Sequence, residues 1–214
     1  SLLAEARAFG EKAARKATPS GPHDNVPDPD RRLRIGLVSG DLGQHPVGYF
    51  MQNVLESLDP DRLEVFAYAT AERKDALNQR LRRSIPHWRR AAESKIDDEA
   101  LAKQIRADGI DILIDLAGHT ANNRLPVFAW KPAPVQLSWL GYLGTTGLDA
   151  MDYILADAWA LPAGEEDQFT ETPWRLPESY ICFSPPDSTV EVGPLPALDK
   201  GGITFGCFNN LNKI

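Results

Sequence analysis

Cysteine is nearly absent: the 214 residues include only Cys182 and Cys207, with no Cys-x-x-Cys spacing. That excludes a disulfide framework, offers no structural zinc site, and fits a reducing, cytoplasmic setting. Also missing is any apolar run approaching the roughly 18 residues a membrane span requires. The stretch from Ser1 to Lys16 lacks the apolar centre of a secretion signal, so no membrane association is expected. Positive charge is in the minority, with 23 Lys and Arg against 30 Asp and Glu and a formal net charge of −7. Such a surface draws neither nucleic-acid phosphates nor anionic lipid, although Arg80, Arg82, Arg83, Arg89 and Arg90 make one local basic patch. Two phosphate signatures are lacking as well. The glycines at 40, 43 and 48 do not fit the dinucleotide pattern G-x-G-x-x-G, and no Gly-Lys-Ser or Gly-Lys-Thr follows.

What is present is an ordinary globular composition, 43% hydrophobic and 25% charged, long enough for one large domain or two small ones. Leu2 to Lys16 carries one helical apolar stripe (Leu2, Leu3, Ala6, Phe9, Ala13) with no partner nearby in sequence. A Pro-, Asp- and Gly-rich linker from Thr18 to Asp30 then separates it from the rest. Strand and helix signals alternate beyond it. Strands are expected at Leu33 to Ser39, Leu63 to Ala69, His87 to Ala91, Ile110 to Leu116, Val135 to Leu140 and Tyr153 to Ala156. Helices are expected from about Tyr49 to Leu58, near Lys74 to Ser84, and from Asp97 to Ala107, where Gly109 stops the last one. That alternation predicts an α/β fold, a Rossmann-like parallel sheet with helices on both faces. From Leu161 to Leu198 prolines accumulate and periodicity fades, which reads as an extended connection. Ile203 to Phe208 then repeats a buried-strand pattern.

In such a sheet the ligand crevice lies beyond the carboxyl ends of the strands. Three post-strand loops are rich in chemistry: Ser39-Gly-Asp-Leu-Gly-Gln-His-Pro-Val-Gly48, Ala117-Gly-His-Thr120 and Leu140-Gly-Tyr-Leu-Gly-Thr-Thr-Gly147. Asp41 and His45, four residues apart, are candidates for proton transfer, and Gly40 and Gly43 for close approach to a bound group. Each also has a plainer reading. Asp41 caps a turn or the next helix, His45 is simply exposed, His119 bonds backbone at the edge of the core, and Gly141, Gly144 and Gly147 make a tight turn. Trp130, Trp139, Trp159 and Trp174 read first as core residues.

Five segments in order carry a more specific signal: Leu33 to Gly48, Asp115 to Thr120, Lys131 to Gly147, Met151 to Ile154 and Phe205 to Ile214. Together they resemble the catalytic region of the bacterial-type O-linked N-acetylglucosamine transferase family, over about Arg31 to Ile214. The resemblance implies an inverting transferase of the two-Rossmann (GT-B) type that moves N-acetylglucosamine from UDP-GlcNAc to Ser or Thr hydroxyls of proteins, with no metal and no other cofactor. It places Asp41 and His45 at the reaction centre. It assigns Pro46, Val47, His119, Thr120, Leu140 and Gly141 to substrate binding. Val47 stands where animal relatives have Thr, and His119 where they have Tyr.

It further implies three parts. Residues 1–30 would be a helix and linker from upstream tetratricopeptide repeats, residues 31–198 the first Rossmann-like catalytic domain, and residues 199–214 the start of a second. The partners would then be protein acceptors, the UDP-sugar, and those flanking repeats and domain, with no nucleic acid and no membrane. This piece alone would not turn over. The alternatives are a related transferase with another donor such as GDP-fucose, or a non-catalytic α/β binding module in which Asp41 and Asp115 hold a metal.

Overall fold

The computed structural model describes residues 1–19, 21–92, 96–183 and 191–207. The chain divides into two compact units, residues 1–184 and 185–214. The first carries α1 (Leu2–Ala14), β1 (Leu33–Ser39), α2 (Pro46–Ser57), β2 (Leu63–Ala69), α3 (Ala76–Ser84), β3 (His87–Arg89), α4 (Asp98–Ala107), β4 (Ile112–Asp115), β5 (Val135–Ser138), β6 (Tyr153–Asp157) and β7 (Thr172–Leu176), with 3-10 turns at Leu125–Trp130 and Glu166–Gln168. The seven strands form one parallel sheet in the order β3-β2-β1-β4-β5-β6-β7.

Period-2 alternation builds this sheet. In β1 and β2, Leu37, Val65 and Ala67 face one side with α2 and α3 residues Met51, Leu55, Leu77 and Leu81. Val38, Phe66 and Tyr68 face the other, with Leu101 and Ile105 of α4 and with Phe128. Both faces are therefore covered, as a parallel sheet requires, and each fully buried Leu or Phe contributes roughly 1.5–3 kcal/mol. The order reverses direction at β1, whose neighbours are β2 and β4. That is the topological switch point, where a doubly wound sheet opens its crevice.

Several local expectations need correction. The second helix begins at Pro46 rather than Tyr49, because His45 is its N-cap and Pro at the first position is pre-set for a helix. The Leu161 to Leu198 stretch contains a strand, β7, paired along its length with β6. Pro173 hid it, and it is tolerated because β7 lies at the sheet edge among the described residues. In the second unit, residues 203–207 form no strand, and Ile203 and Phe205 are exposed. Phe208 lies outside the described residues. Trp159 and Trp174 are exposed rather than core.

The stripe on α1 finds its partners inside the first unit. Ala13, with Phe9 and Ala17 packed alongside, joins the core on the α4 side of the sheet. A Cβ placed on Gly10 would stand 1.7 Å from Gly147 O, so helix and loop meet backbone to backbone. The linker has no regular structure but is tied down by Asp111, which takes Asn25 Nδ2 at 2.6 Å, the Arg31 guanidinium and the Arg34 amide at 2.8 Å.

Candidate active site

The loop leaving β1 carries Asp41 and His45 to the switch point. Asp41 Oδ1 accepts from Arg73 Nη2 at 2.6 Å, and its backbone amide donates to Ser39 Oγ at 2.9 Å. Among the described residues Asp41 Oδ2 accepts no hydrogen bond, and it stands 3.9 Å from His45 Nδ1. His45 has a defined second job. Its Nδ1 accepts from Val47 N at 3.3 Å and so caps α2. In the neutral ring that leaves the proton on Nε2 of a side chain 39% exposed. The site thus offers one unengaged carboxylate oxygen, one imidazole N–H donor and the positive end of α2, the last of which favours a nearby anion.

The glycines here serve close packing, not unusual backbone angles: none of Gly40, Gly43 and Gly48 has a positive φ. A Cβ on Gly48 would fall 2.0 Å from Gly43 O, and one on Gly43 would fall 2.6 Å from Asp75 Oδ2. The close approach is to the protein's own atoms. Pro46 opens α2, and Val47 is buried beside Leu42 and Leu116, so its side chain faces the core.

The loop after β4 touches this one. A Cβ on Gly40 would meet Asn122 Cβ at 2.8 Å, and Thr70 Oγ1, just after β2, donates to Asn122 O at 2.7 Å. His119 Nε2 lies 3.1 Å from Thr146 O and its ring meets Phe9 edge-on, which matches the plainer reading of that residue. Thr120 Oγ1 donates to Ala117 O at 2.9 Å, within its own turn. The loop after β5 closes the group. Gly141 N donates to Trp139 O at 2.9 Å around Leu140, whose φ of 76° is strained for a branched residue. A Cβ on Gly141 would strike Leu116 O at 2.2 Å, so only glycine lets the β4 and β5 loops lie this close. Leu140 packs on the Leu42, Val47 and Leu116 cluster, which links all three loops. Beside them, Leu2, Ala6, Phe9, His119, Tyr142 and Thr145 line a recess of ≈ 230 Å³.

Two buried carboxyls brace these loops from behind. Asp115 receives Gly118 N at 2.7 Å, Ala117 N at 3.2 Å and Ser138 Oγ at 3.4 Å. Burial pushes its carboxyl up to about 6; those donors pull the other way, and nearby Glu171 adds to the rise. Glu171 takes Thr145 Oγ1 at 2.8 Å, Thr146 N at 2.7 Å and the Thr146 hydroxyl. With Asp41 ion-paired to Arg73 and Asp115 enclosed by donors, the two aspartates do not form the shared metal site that the binding-module reading needs.

Sequence reading missed Glu171, Arg73 and Asp75. Arg73 and Asp75 follow β2, so the rule that singled out the other post-strand loops would have found them. Partial burial pushes the Asp75 carboxyl up, but the amides of Asn78, Gln44 and Asp75 itself outweigh that and hold it below the usual range.

A doubly wound parallel sheet with a carboxylate and an imidazole at its switch point defines a Rossmann-type α/β protein. The profile of glycosyl transferase family 41 matches residues 14–183, and the chain belongs to that family. It is similar to a protein of Petunia hybrida described as probable UDP-N-acetylglucosamine–peptide N-acetylglucosaminyltransferase SPINDLY, at 42% identity over 89% of this chain and 21% of the relative. The corresponding SEC protein of Arabidopsis thaliana is 34% identical over 86% of this chain and 20% of its own. Among solved structures, a mutant form of the O-GlcNAc transferase of Thermobaculum terrenum superposes with a TM-score of 0.81 at 43% identity, covering 86% of this chain and 35% of that one. The chain therefore spans about a fifth of the curated relatives it matches.

Proposed function

We propose that the full-length protein moves N-acetylglucosamine from UDP-GlcNAc to Ser or Thr hydroxyls of proteins with inversion, and that this chain is the acceptor-side half of its catalytic region. The observation that carries the reading is the unengaged Asp41 Oδ2 at the switch point, beside an imidazole whose Nδ1 is taken by the helix cap. As the acceptor oxygen bonds to the sugar C1 and the C1–O bond to UDP breaks, the hydroxyl proton passes to Asp41 Oδ2. His45 donates from Nε2 and orients the acceptor or the departing anion, with the first turn of α2 behind it. Both jobs are done by protein groups, so the reaction is read as needing no metal or other cofactor. Leu140, Gly141, His119 and Thr120 shape the crevice wall, and Pro46 and Val47 fix its floor.

Helical repeats upstream, a second Rossmann domain downstream that holds the nucleotide, and a cytoplasmic location belong to the same reading. Among the described residues no helix is long and apolar enough to cross a membrane.

The test uses the full-length protein, a protein acceptor and labelled sugar nucleotides. Asp41→Asn and His45→Ala should each cut transfer more than about tenfold with unchanged melting. Near wild-type rates in both would refute the assignment, and faster transfer from GDP-fucose than from UDP-GlcNAc would refute the donor.

A further inference from the structure

We infer that Arg73 is a positioning residue for this reaction: it sets which oxygen of Asp41 faces the acceptor, and it acts only through Asp41. The inference rests on the function proposed above. One guanidinium spans two consecutive residues of the catalytic loop, with Nε donating to Gly40 O at 3.0 Å and Nη2 to Asp41 Oδ1 at 2.6 Å. Anchoring the planar group on Gly40 O fixes the direction from which Nη2 meets the single oxygen Oδ1, which a lone point charge does not do. Oδ1 is thereby committed and Oδ2 is left on the side of His45.

Arg73 is one part of a continuous clamp. Asn78 Nδ2 donates to Leu42 O at 2.6 Å, and Asp75 Oδ1 accepts from Gln44 N at 3.0 Å while capping α3 at Asn78 N. Residues 40, 41, 42 and 44 are thus each held by a side chain between 73 and 78. The clamp is possible because β1 and β2 pair in parallel and in register to their ends, Ser39 against Ala69, so the two loops leave the sheet side by side. The packing leaves no slack: a Cβ on Gly43 would lie 3.2 Å from Arg73 Cβ. Arg73 is 29% exposed at its side chain and bonds only this loop among the described residues, so its effect on chemistry runs through the carboxylate it holds.

The test is a double-mutant cycle in the full-length protein: Arg73→Gln, Arg73→Lys, Asp41→Asn, and Asp41→Asn combined with Arg73→Gln. Losing a group that orients a reacting side chain costs roughly 10- to 100-fold. Arg73→Gln should therefore lower kcat by that factor with KM within about twofold, since Arg73 is placed off the substrate. Arg73→Lys, which reaches one partner but not both, should recover part of the loss. In the Asp41→Asn background Arg73→Gln should cost nothing more. Wild-type kcat in Arg73→Gln, or the same loss with and without Asp41, overturns the inference and leaves the proposed function standing. If Asp41→Asn itself transfers normally, the proposed function fails first. If Arg73→Gln does not fold, Arg73→Lys decides: a lower kcat at unchanged melting temperature supports positioning, and an unchanged kcat refutes it.

Discussion

Gly147→Ala should detach α1 from the loops after β4 and β5, and the cost can be built from the contacts. Gly147 has φ +74°, and an added Cβ would lie 2.0 Å from Ala6 O and 2.1 Å from Ala6 C. Ordinary contact needs about 3.5 Å, so α1 must recede by roughly 1.5 Å. The left-handed backbone costs about 1 kcal/mol. The edge contact of Phe9 on His119, at 4.9 Å, is worth about 1 kcal/mol more. Re-exposing the methyls of Ala6 and Ala13 adds roughly 1.5 kcal/mol. The sum of about 3.5 kcal/mol corresponds to a Tm loss near 10 °C for a chain of this size, read by calorimetry on residues 1–214. Gly164→Ala is the control, because Gly164 has φ +94° with nothing within 4 Å of its Cβ; it should lose only about 3 °C. Gly10→Ala decides by its sign. Helix propensity alone predicts a gain of about 1 kcal/mol at a mid-helix glycine. The 1.7 Å approach to Gly147 O predicts a loss instead. Equal shifts in Gly147→Ala and Gly164→Ala, or a stabilised Gly10→Ala, would refute the backbone-to-backbone contact.

Asp115 should make part of the stability fall as pH rises. Its carboxyl, raised from 3.8 to about 6 by burial, favours the fold fully below about pH 4, and that advantage, on the order of 3 kcal/mol, is lost as pH climbs through 6. The Tm difference between wild type and Asp115→Asn should therefore shift between pH 4 and 7.5, and a constant difference would contradict it. Asp111 works with the opposite sign. Burial pushes its carboxyl up, but Arg31, the Arg34 amide and Asn25 outweigh this and hold it low, so its contribution is present above the ordinary Asp range and fades in acid. Asp111→Ala strands those donors and should cost about 2–3 kcal/mol in chemical denaturation while freeing residues 21–31 to proteolysis, and an unchanged cleavage pattern would count against it.

The parts legible in the sequence were those where one local rule acts alone. Short apolar runs delimited β1 and β2 to the residue, and the acidic start and Gly109 delimited α4. Where two rules competed, reading failed. Pro173 is a strand breaker everywhere except at an edge, and edge position depends on the whole sheet order. Ile203 and Phe205 carry a strand pattern that finds no pairing among the described residues. Asp41 and His45 were visible because they follow an obvious strand. Arg73 and Asp75 follow a strand as well, but the partners of Arg73, Asp75 and Asn78 at residues 40 to 44 exist only once β1 and β2 are paired. Glu171 was hidden among prolines and reaches Thr145 and Thr146 across 25 residues or more.

The helix cap at His45 also decides how the two candidate groups share the chemistry. A neutral ring that accepts the Val47 amide at Nδ1 has no second lone pair to take a proton, because Nε2 already carries one. In the proposed mechanism, proton acceptance therefore falls to Asp41, and the imidazole serves as a donor. Protonating the ring would reverse this: Nδ1 would become a donor, lose the cap, and turn toward Asp41 Oδ2, now 3.9 Å away. The one free carboxylate oxygen would then be engaged by its neighbour and withdrawn from the acceptor. The same spacing of four residues that brings the two groups together thus makes capping α2 and contacting Asp41 mutually exclusive uses of His45 Nδ1.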